Sequence, residues 1–231
     1  MHKINKKMTF NVSKMTNPAK QYDLVIFGAT GLVGQYAIRD LVGSIADHAD
    51  KDPAYAKIRW AIAGRRRDKL QQALLELDKE LGTQLLSTVP VITADVTDLD
   101  SIEALAACTT VMLNAVGPYD TLAPPVIEAC LRHQTAHLDL SAELNYIEGA
   151  VLKYGKVALE SGTLIISAAG FCSTVPEMAI ALFRRHFPGT LHSVETFIDA
   201  NYDRKKVKGN SLASQSSGGR LCSCYLSVSL G

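Results

Sequence analysis

The stretch that decides the fold is residues 25–34, Val-Ile-Phe-Gly-Ala-Thr-Gly-Leu-Val-Gly. An apolar run ends at Gly28, and two further glycines follow at fixed spacing, Gly31 and Gly34. This pattern predicts a buried strand, a tight turn and a helix that begins near Leu32. The free N–H groups and the positive dipole end of such a helix favour an anion, so the pattern predicts a nucleotide site. A glycine-rich turn that serves packing alone is the open alternative.

Outward from this stretch, short apolar segments alternate with amphipathic helical segments. The predicted strands are Asp23–Gly28, Ile58–Ala63, Pro90–Ala94, Thr110–Ala115, His137–Leu140 and Leu164–Ala168. The predicted helices are Leu32–Val42, Arg67–Leu81, Ser101–Ala107, Pro125–His133, Asn145–Ser161 and Val175–His186. Strand–helix alternation predicts an α/β fold with a doubly wound parallel sheet, and six strands fit the Rossmann order 3-2-1-4-5-6.

The chain divides into three predicted segments. Residues 1–21 hold five lysines and no acidic residue, which predicts a disordered basic leader, with a mitochondrial presequence as the alternative. Residues 22–189 form the predicted nucleotide-binding domain. Residues 190–231 contain an alternating strand, Ser193–Asp199, and a Ser-rich tail, so we expect the opening of an incomplete α+β second domain.

Composition narrows the function classes. A net charge of +1 over 231 residues gives no reason to expect a nucleic-acid partner. No apolar run approaches the roughly 18 residues that a membrane helix needs. Five scattered cysteines indicate reduced thiols and a cytoplasmic-type compartment.

No metal site is expected from the sequence. Cys222 and Cys224 form a pair, but the chain offers no second pair to complete a zinc site. His137 and Asp139 share one face of a predicted strand, which suits either a ligand pair or a strand-end hydrogen bond. Cys172 precedes a predicted helix start and is interpreted as a small structural thiol, with a reactive thiolate as the alternative.

The end of the second predicted strand indicates the cofactor. NAD-selective sites place an acidic residue there for the ribose 2′-hydroxyl, whereas this chain has Arg65, Arg66 and Arg67. Guanidinium groups suit a 2′-phosphate, so the pattern favours NADP over NAD. Arg65 lies nearest the strand end and is the preferred candidate, while the other two arginines also fit solvated positions at a helix start.

Further cofactor contacts follow from topology, because ligands bind outside the carboxyl ends of parallel strands. After the third strand, Asp95 and Val96 are predicted beside the adenine, although Asp95 equally suits a helix cap. The predicted cofactor-binding residues are Gly28, Ala29, Thr30, Gly31, Leu32, Val33, Gly34, Arg65, Asp95, Val96, Asn114, Ala115, Val116 and Gly117.

Five segments, FGATGLVGQ, AIAGRRRDKL, NAVGPY, HLDLSAE and SAAGFCSTVPE, occur in this order. Together they resemble the saccharopine dehydrogenase-like oxidoreductase family, which also includes bacterial trans-acting enoyl reductases. The likeness extends from Tyr22 to Glu195 and implies an NADP-type Rossmann domain followed by an α+β substrate domain. The chain departs from the family at Ala142, where members have glycine, at Cys172, where they have an acid, and in being shorter.

The resemblance implies an NADP-dependent oxidoreductase that passes hydride to a small-molecule substrate, and it favours a lipid-linked one. Tyr119 and Glu143, at the ends of two strands, are the catalytic candidates, one to orient a carbonyl and the other as acid or base. The alternative is a non-catalytic nucleotide-binding or lipid-droplet-associated module that lacks a complete substrate domain. A cytoplasmic or lipid-droplet location, peripheral membrane association and a homo-oligomer are further expectations.

Overall fold

The computed structural model describes residues 19–189, 193–197, 200–201, 220–221 and 225–229. Contacts divide the chain into two compact units, with the boundary after Ala169. Residues 1–18 of the predicted leader, together with Cys222 and Cys224, lie outside the described residues, as does the side chain of Cys172. The domain limits expected from the sequence therefore stay predictions.

The first unit is built on one six-stranded parallel sheet. Its strands are β1 (Tyr22–Phe27), β2 (Trp60–Gly64), β3 (Val91–Thr93), β4 (Thr109–Asn114), β5 (Ala136–Asp139) and β6 (Ile165–Ile166). Their order is β3-β2-β1-β4-β5-β6, and every neighbouring pair is parallel. The predicted doubly wound Rossmann sheet is confirmed. Its carboxyl edge carries the glycine loop and every other loop that the sequence assigned to the cofactor.

Helices cover both faces of this sheet. They are α1 (Leu32–His48), α2 (Pro53–Ala56), α3 (Arg67–Leu81), α4 (Leu99–Cys108), α5 (Tyr119–Arg132) and α6 (Leu144–Ser161). Successive residues of β1 point to opposite faces: Ile26 packs in the cluster formed with α1 and α3, whereas Val25 and Phe27 pack with α4 and α5. A third cluster joins α5 to α6. The central strand is therefore buried on both faces, as a parallel sheet requires.

Helix α3 shows how local sequence sets an element. Its buried apolar residues, Leu70, Ala73, Leu74 and Leu77, recur at helical spacing, and the charged residues other than the buried Asp78 occupy the outer face. The helix ends at Gly82, which has a φ of +65°. A left-handed C-cap of this kind is what glycine provides at least cost, so the predicted and observed bounds of α3 agree.

Helix α5 begins six residues before its predicted start at Pro125. The prediction placed Pro125 at the first position of the helix and Pro124 before it, but both prolines lie inside the helix. The early start is stabilised from outside, because the Glu143 carboxylate accepts hydrogen bonds from the amides of Tyr119 and Asp120. Local periodicity carries no signal of this long-range cap.

The second unit contains helix α7 (Phe171–His186) and two pairs of antiparallel strands. In the first pair, β7 (Ser193–Phe197) is hydrogen-bonded to β10 (Tyr225–Ser229). In the second, β8 (Ala200–Asn201) is hydrogen-bonded to β9 (Arg220–Leu221). The antiparallel strand expected from residue 193 is thus present, although residues 198–199 lie outside the described residues. Among the helices described in either unit, none is long and apolar enough to cross a bilayer.

A buried cation closes the amino edge of the sheet. The Lys20 side chain is almost fully buried, and its ammonium donates to the carbonyls of Ala106 (3.0 Å) and His133 (2.9 Å) and to the Thr135 hydroxyl (2.5 Å). These carbonyls lie at the carboxyl ends of α4 and α5, where the helix dipoles favour positive charge. Burial nevertheless lowers the pKa of Lys20. The ordered fold therefore includes a residue that was assigned to the leader.

Replacing Lys20 with methionine tests this contact. Lys20→Met removes the ammonium that donates to two carbonyls and one hydroxyl, and it leaves the His133 carbonyl without this donor, so we expect the free energy of unfolding to fall by about 1–3 kcal/mol. Chemical denaturation measures the difference. Lys57→Met, at an exposed position, is the matched control and should change stability by less than about 0.5 kcal/mol. Equal effects of the two substitutions would contradict the role given to Lys20.

Candidate cofactor site

Gly28 forms the turn between β1 and α1. Its φ is +88°, in the left-handed region that favours glycine. A Cβ placed on Gly28 would lie 2.9 Å from the carbonyl carbon and oxygen of Ala115 and from the Val116 side chain. The loop that follows β4 therefore rests directly on the glycine turn, and no larger residue fits between them.

Gly34 brings α1 onto the same turn. A Cβ on Gly34 would lie 2.5 Å from the Gly28 carbonyl oxygen and 2.6 Å from the Ala29 Cα. Both contacts are shorter than non-bonded atoms tolerate, so the first turn of α1 can pack this closely only without a side chain. Ala29 is fully buried beneath it, whereas Thr30 is exposed.

The amino terminus of α1 is open to a ligand. Its N-cap, Gly31, has no side chain to accept the free amides, and the first turn carries no acidic residue. The Leu32 and Val33 side chains are largely exposed. The first amides of a helix have no intrahelical acceptor, so α1 presents N–H donors and a positive dipole end beside the glycine turn.

Two neighbouring helix termini are already occupied by carboxylates. The Asp98 side chain caps α4 by accepting from Ser101 N. Both Glu143 carboxylate oxygens accept from α5 amides, Oε1 from Tyr119 N at 3.0 Å and Oε2 from Asp120 N at 2.8 Å. The helices α1, α4 and α5 follow β1, β3 and β4. Among the described residues of these three helix ends, α1 is the one without a carboxylate at its amino end.

Arg65 follows directly after β2 and is exposed. Arg67 is engaged elsewhere, because its Nη1 donates to the Val91 carbonyl of β3 at 2.9 Å. Arg66 is the N-cap residue of α3 and makes no side-chain capping bond. The interpretation that not all three arginines face the cofactor is thus supported for Arg67, which ties α3 to the sheet.

Asp95 and Arg65 approach one another at the ends of β3 and β2. Hydrogen bonds from the Thr97 amide and hydroxyl to Asp95 Oδ1 hold the pKa of Asp95 below its usual range, and the charge of Arg65 lowers it further. The predicted helix-capping role belongs to Asp98 rather than to Asp95, which instead closes the preceding turn. Val96, next in the chain, packs partly against the core.

The loop after β4 is held from within. The fully buried Asn114 accepts a hydrogen bond from Val116 N through Oδ1 at 3.0 Å, and its carbonyl accepts one from the Tyr119 hydroxyl at 3.2 Å. Gly117 is exposed, and a Cβ there would meet nothing closer than 3.6 Å. The backbone of the loop is therefore exposed at Gly117, while Asn114 beneath it is held by these two hydrogen bonds.

The two catalytic candidates both have structural partners. Glu143 uses both carboxylate oxygens to cap α5. The half-buried Tyr119 donates to the Asn114 carbonyl and stacks on Tyr146 with ring centroids 5.9 Å apart. Burial raises the pKa of Tyr119. Their catalytic role stays a prediction, and proton transfer by either group requires one of these hydrogen bonds to break.

Sequence reasoning missed the buried polar cluster beneath this edge. Asp139 is fully buried and accepts from the Tyr146 hydroxyl at 2.5 Å through Oδ2, and from Ser141 N and Ala168 N at 3.0 Å through Oδ1. Ala168 adopts a φ of +58°, which an L-residue rarely adopts. The available signal in the sequence was the presence of two polar residues, His137 and Asp139, inside an apolar strand. The sequence did not indicate which residues they bond to.

Comparison with known proteins identifies the family. The family described as "Saccharopine dehydrogenase NADP binding domain" matches residues 24–166, which is more than half of the chain. The chain belongs to this family. The resemblance inferred from the sequence is confirmed, and so is NADP as the cofactor that characterises the family.

Curated relatives agree with this assignment. A rat saccharopine dehydrogenase-like oxidoreductase is 33% identical over 81% of this chain and 43% of its own length. A Caenorhabditis elegans lipid droplet localized protein is 33% identical over 77% of this chain and 40% of its own length. A Mycobacterium bovis trans-acting enoyl reductase is 30% identical over 90% of this chain and 47% of its own length. The chain thus spans less than half the length of these relatives.

Two glycines of α1 provide a matched test of the turn. Gly34→Ala forces a methyl group against the Gly28 carbonyl, so we expect the free energy of unfolding to fall by about 1–3 kcal/mol. Gly43→Ala, in the same helix with open space around it, should raise it by about 0.5–1 kcal/mol. Denaturant titration of both variants measures this. Stabilisation by both substitutions would contradict the close approach at Gly34.

Proposed function

We propose that the chain binds NADPH across the carboxyl edge of its sheet. One observation carries the proposal: α1 offers unoccupied N–H donors on a glycine turn, whereas carboxylates fill the corresponding ends of α4 and α5. A pyrophosphate at this position gains from the donors and the dipole of α1 without displacing any protein group. Gly28 and Gly34 allow β1, α1 and the loop after β4 to pack closely enough to place these donors at the edge of the sheet.

Selectivity for NADPH over NADH is assigned to Arg65. The NAD-type acidic residue is absent after β2, and Arg65 is exposed there with Asp95 as its neighbour. The adenine half of a dinucleotide lies over β1, β2 and β3, so its 2′-phosphate falls next to this guanidinium. Arg67 is committed to Val91, which leaves Arg65 as the better placed donor.

Titration with NADPH and NADH tests both statements. For the unaltered chain we expect tighter binding of NADPH, followed by nicotinamide fluorescence. Arg65→Ala removes charge-assisted hydrogen bonds and should weaken NADPH binding by about 10- to 100-fold, while NADH binding stays the same. Arg67→Ala is the control, with lower stability but unchanged preference for NADPH. Failure of the unaltered chain to bind either nucleotide would overturn the proposal.

We propose further that the cofactor serves hydride transfer to a lipid-linked substrate. One relative supports the lipid connection by name, as a lipid droplet localized protein, and another supports reduction by name, as a trans-acting enoyl reductase. Hydride chemistry belongs to the nicotinamide, and the residues of the chain would position it. A location at the lipid-droplet surface or in the cytoplasm, peripheral membrane association and self-association are parts of this proposal.

A second candidate function is a cofactor-binding module without catalysis of its own. The observation that favours it is the engagement of Glu143 and Tyr119 in structural hydrogen bonds. Neither group is free to exchange a proton with a substrate in this arrangement. The module would bind NADPH and leave it unoxidised.

Deuterium transfer separates the two candidates. The chain is incubated with NADPH deuterated at nicotinamide C4 and a lipid extract, and the lipids are analysed by mass spectrometry. Hydride transfer predicts deuterium in a lipid product and oxidation of an equal amount of NADPH. Binding of NADPH with no deuterium in any lipid would favour the module and contradict a lipid substrate for this chain.

A further inference from the structure

His137 is a fully buried ring with one unpaired nitrogen. Its Nε2 lies 3.3 Å from Asn114 Nδ2. Its Nδ1 has no hydrogen-bond partner in the part of the chain that the structure describes, and Asp139 Oδ2 is 3.8 Å away. A buried polar atom without a partner is costly, so an apolar residue would be the more stable choice here unless the ring has another role.

The proton positions follow from the neighbours. Asn114 Oδ1 accepts from Val116 N, so the amide nitrogen of Asn114 faces the ring and donates to His137 Nε2. The ring is then neutral, with its proton on Nδ1. Burial lowers the pKa of His137, against the opposing pull of the Asp139 charge, and this keeps the ring neutral at physiological pH.

Asp139 does not depend on the histidine. Its carboxylate is satisfied by the Tyr146 hydroxyl and by two backbone amides. Among the described residues, the one hydrogen bond of the His137 ring is therefore the bond to Asn114. The ring can influence the Asn114 amide and, through it, the Val116 N–H whose hydrogen bond this amide accepts.

The Asn114 amide holds the loop over the glycine turn. If Asn114 rotated by 180°, its Nδ2 would face Val116 N, donor against donor, and the loop would lose this bond. The Val116 side chain and the Ala115 carbonyl are the groups that a Cβ on Gly28 would meet at 2.9 Å. The orientation of one amide thus couples a buried ring to the cofactor edge of the sheet.

We propose that His137 is a positioning residue for the nicotinamide half of the cofactor, acting through Asn114 on the loop of residues 115–117. The inference rests on the proposed NADPH site, because the nicotinamide half of a dinucleotide lies on the side of the crevice formed by β4, β5 and β6. His137 contacts no ligand itself. It selects the Asn114 rotamer in which Val116 is held.

Amide exchange tests the relay without cofactor. His137→Phe keeps a ring but removes the acceptor, so the Val116 amide should exchange about tenfold faster or more in hydrogen-exchange NMR. His137→Gln carries an oxygen at the same distance along the side chain as Nε2 and should restore slow exchange. Unchanged Val116 exchange in His137→Phe, or equally fast exchange in both variants, would overturn the relay.

Binding of two nucleotides tests the positioning role. Adenosine 2′,5′-bisphosphate carries the adenine half alone and should bind His137→Phe as it binds the unaltered chain. NADPH should bind this variant about 5- to 30-fold more weakly, with recovery in His137→Gln. Equal weakening for both nucleotides would show a general loss of structure and overturn the proposal.

Thr135→Val is the matched control. Thr135 is equally buried beside β5 but lies at its amino end, where its hydroxyl bonds to Ala106 O and Thr109 O. This substitution should lower the melting temperature without altering Val116 exchange or the ratio of the two affinities. If the unaltered chain binds no NADPH, the proposed function fails, while the exchange experiment still decides the relay.

Discussion

The structure depends on a contact that forbids side chains. At Gly28, strand β1, the first turn of α1 and the loop after β4 meet at distances that leave no room for a Cβ on Gly28 or Gly34. Because these three backbone segments touch, α1 starts directly over the end of β1 and points its free amides along the carboxyl edge of the sheet. The cofactor loop after β4 takes its position from the same contact. Backbone contacts therefore set the shape of the candidate site, and side chains add further contacts to it.

Capping carboxylates distinguish α4 and α5 from α1 as possible anion-binding helices. Asp98 and Glu143 lie at the amino ends of α4 and α5, where they satisfy free amides and the helix dipole, and α1 has no such residue. Of the helices α1, α4 and α5, α1 is therefore the one whose amino end favours a phosphate group. Glu143, a candidate acid or base from the sequence, has this capping role in the structure, and its catalytic role stays a prediction.

Buried polar groups before and within β5 have different consequences. At the amino end, Lys20 and Thr135 satisfy carbonyls at the ends of α4 and α5, and these bonds concern stability alone. Within the strand, His137 has no partner for its Nδ1 among the described residues, and its Nε2 orients the amide of Asn114. The bonds of Lys20 and Thr135 join helix ends, whereas the bond of His137 reaches the residue that holds the loop after β4.

The sequence by itself determined the strand order, the glycine turn, the bounds of α3 and the family, because each is encoded in local periodicity or in a motif read along the chain. Only the tertiary structure decided that Glu143 caps a helix 24 residues earlier, that Asp98 rather than Asp95 caps α4, and that His137 bonds to Asn114. The contact of Arg67 was also decided by the tertiary structure, because its partner, the Val91 carbonyl, lies on β3. Hydrogen bonds between distant residues depend on distance and direction in space, and spacing along the chain carries neither.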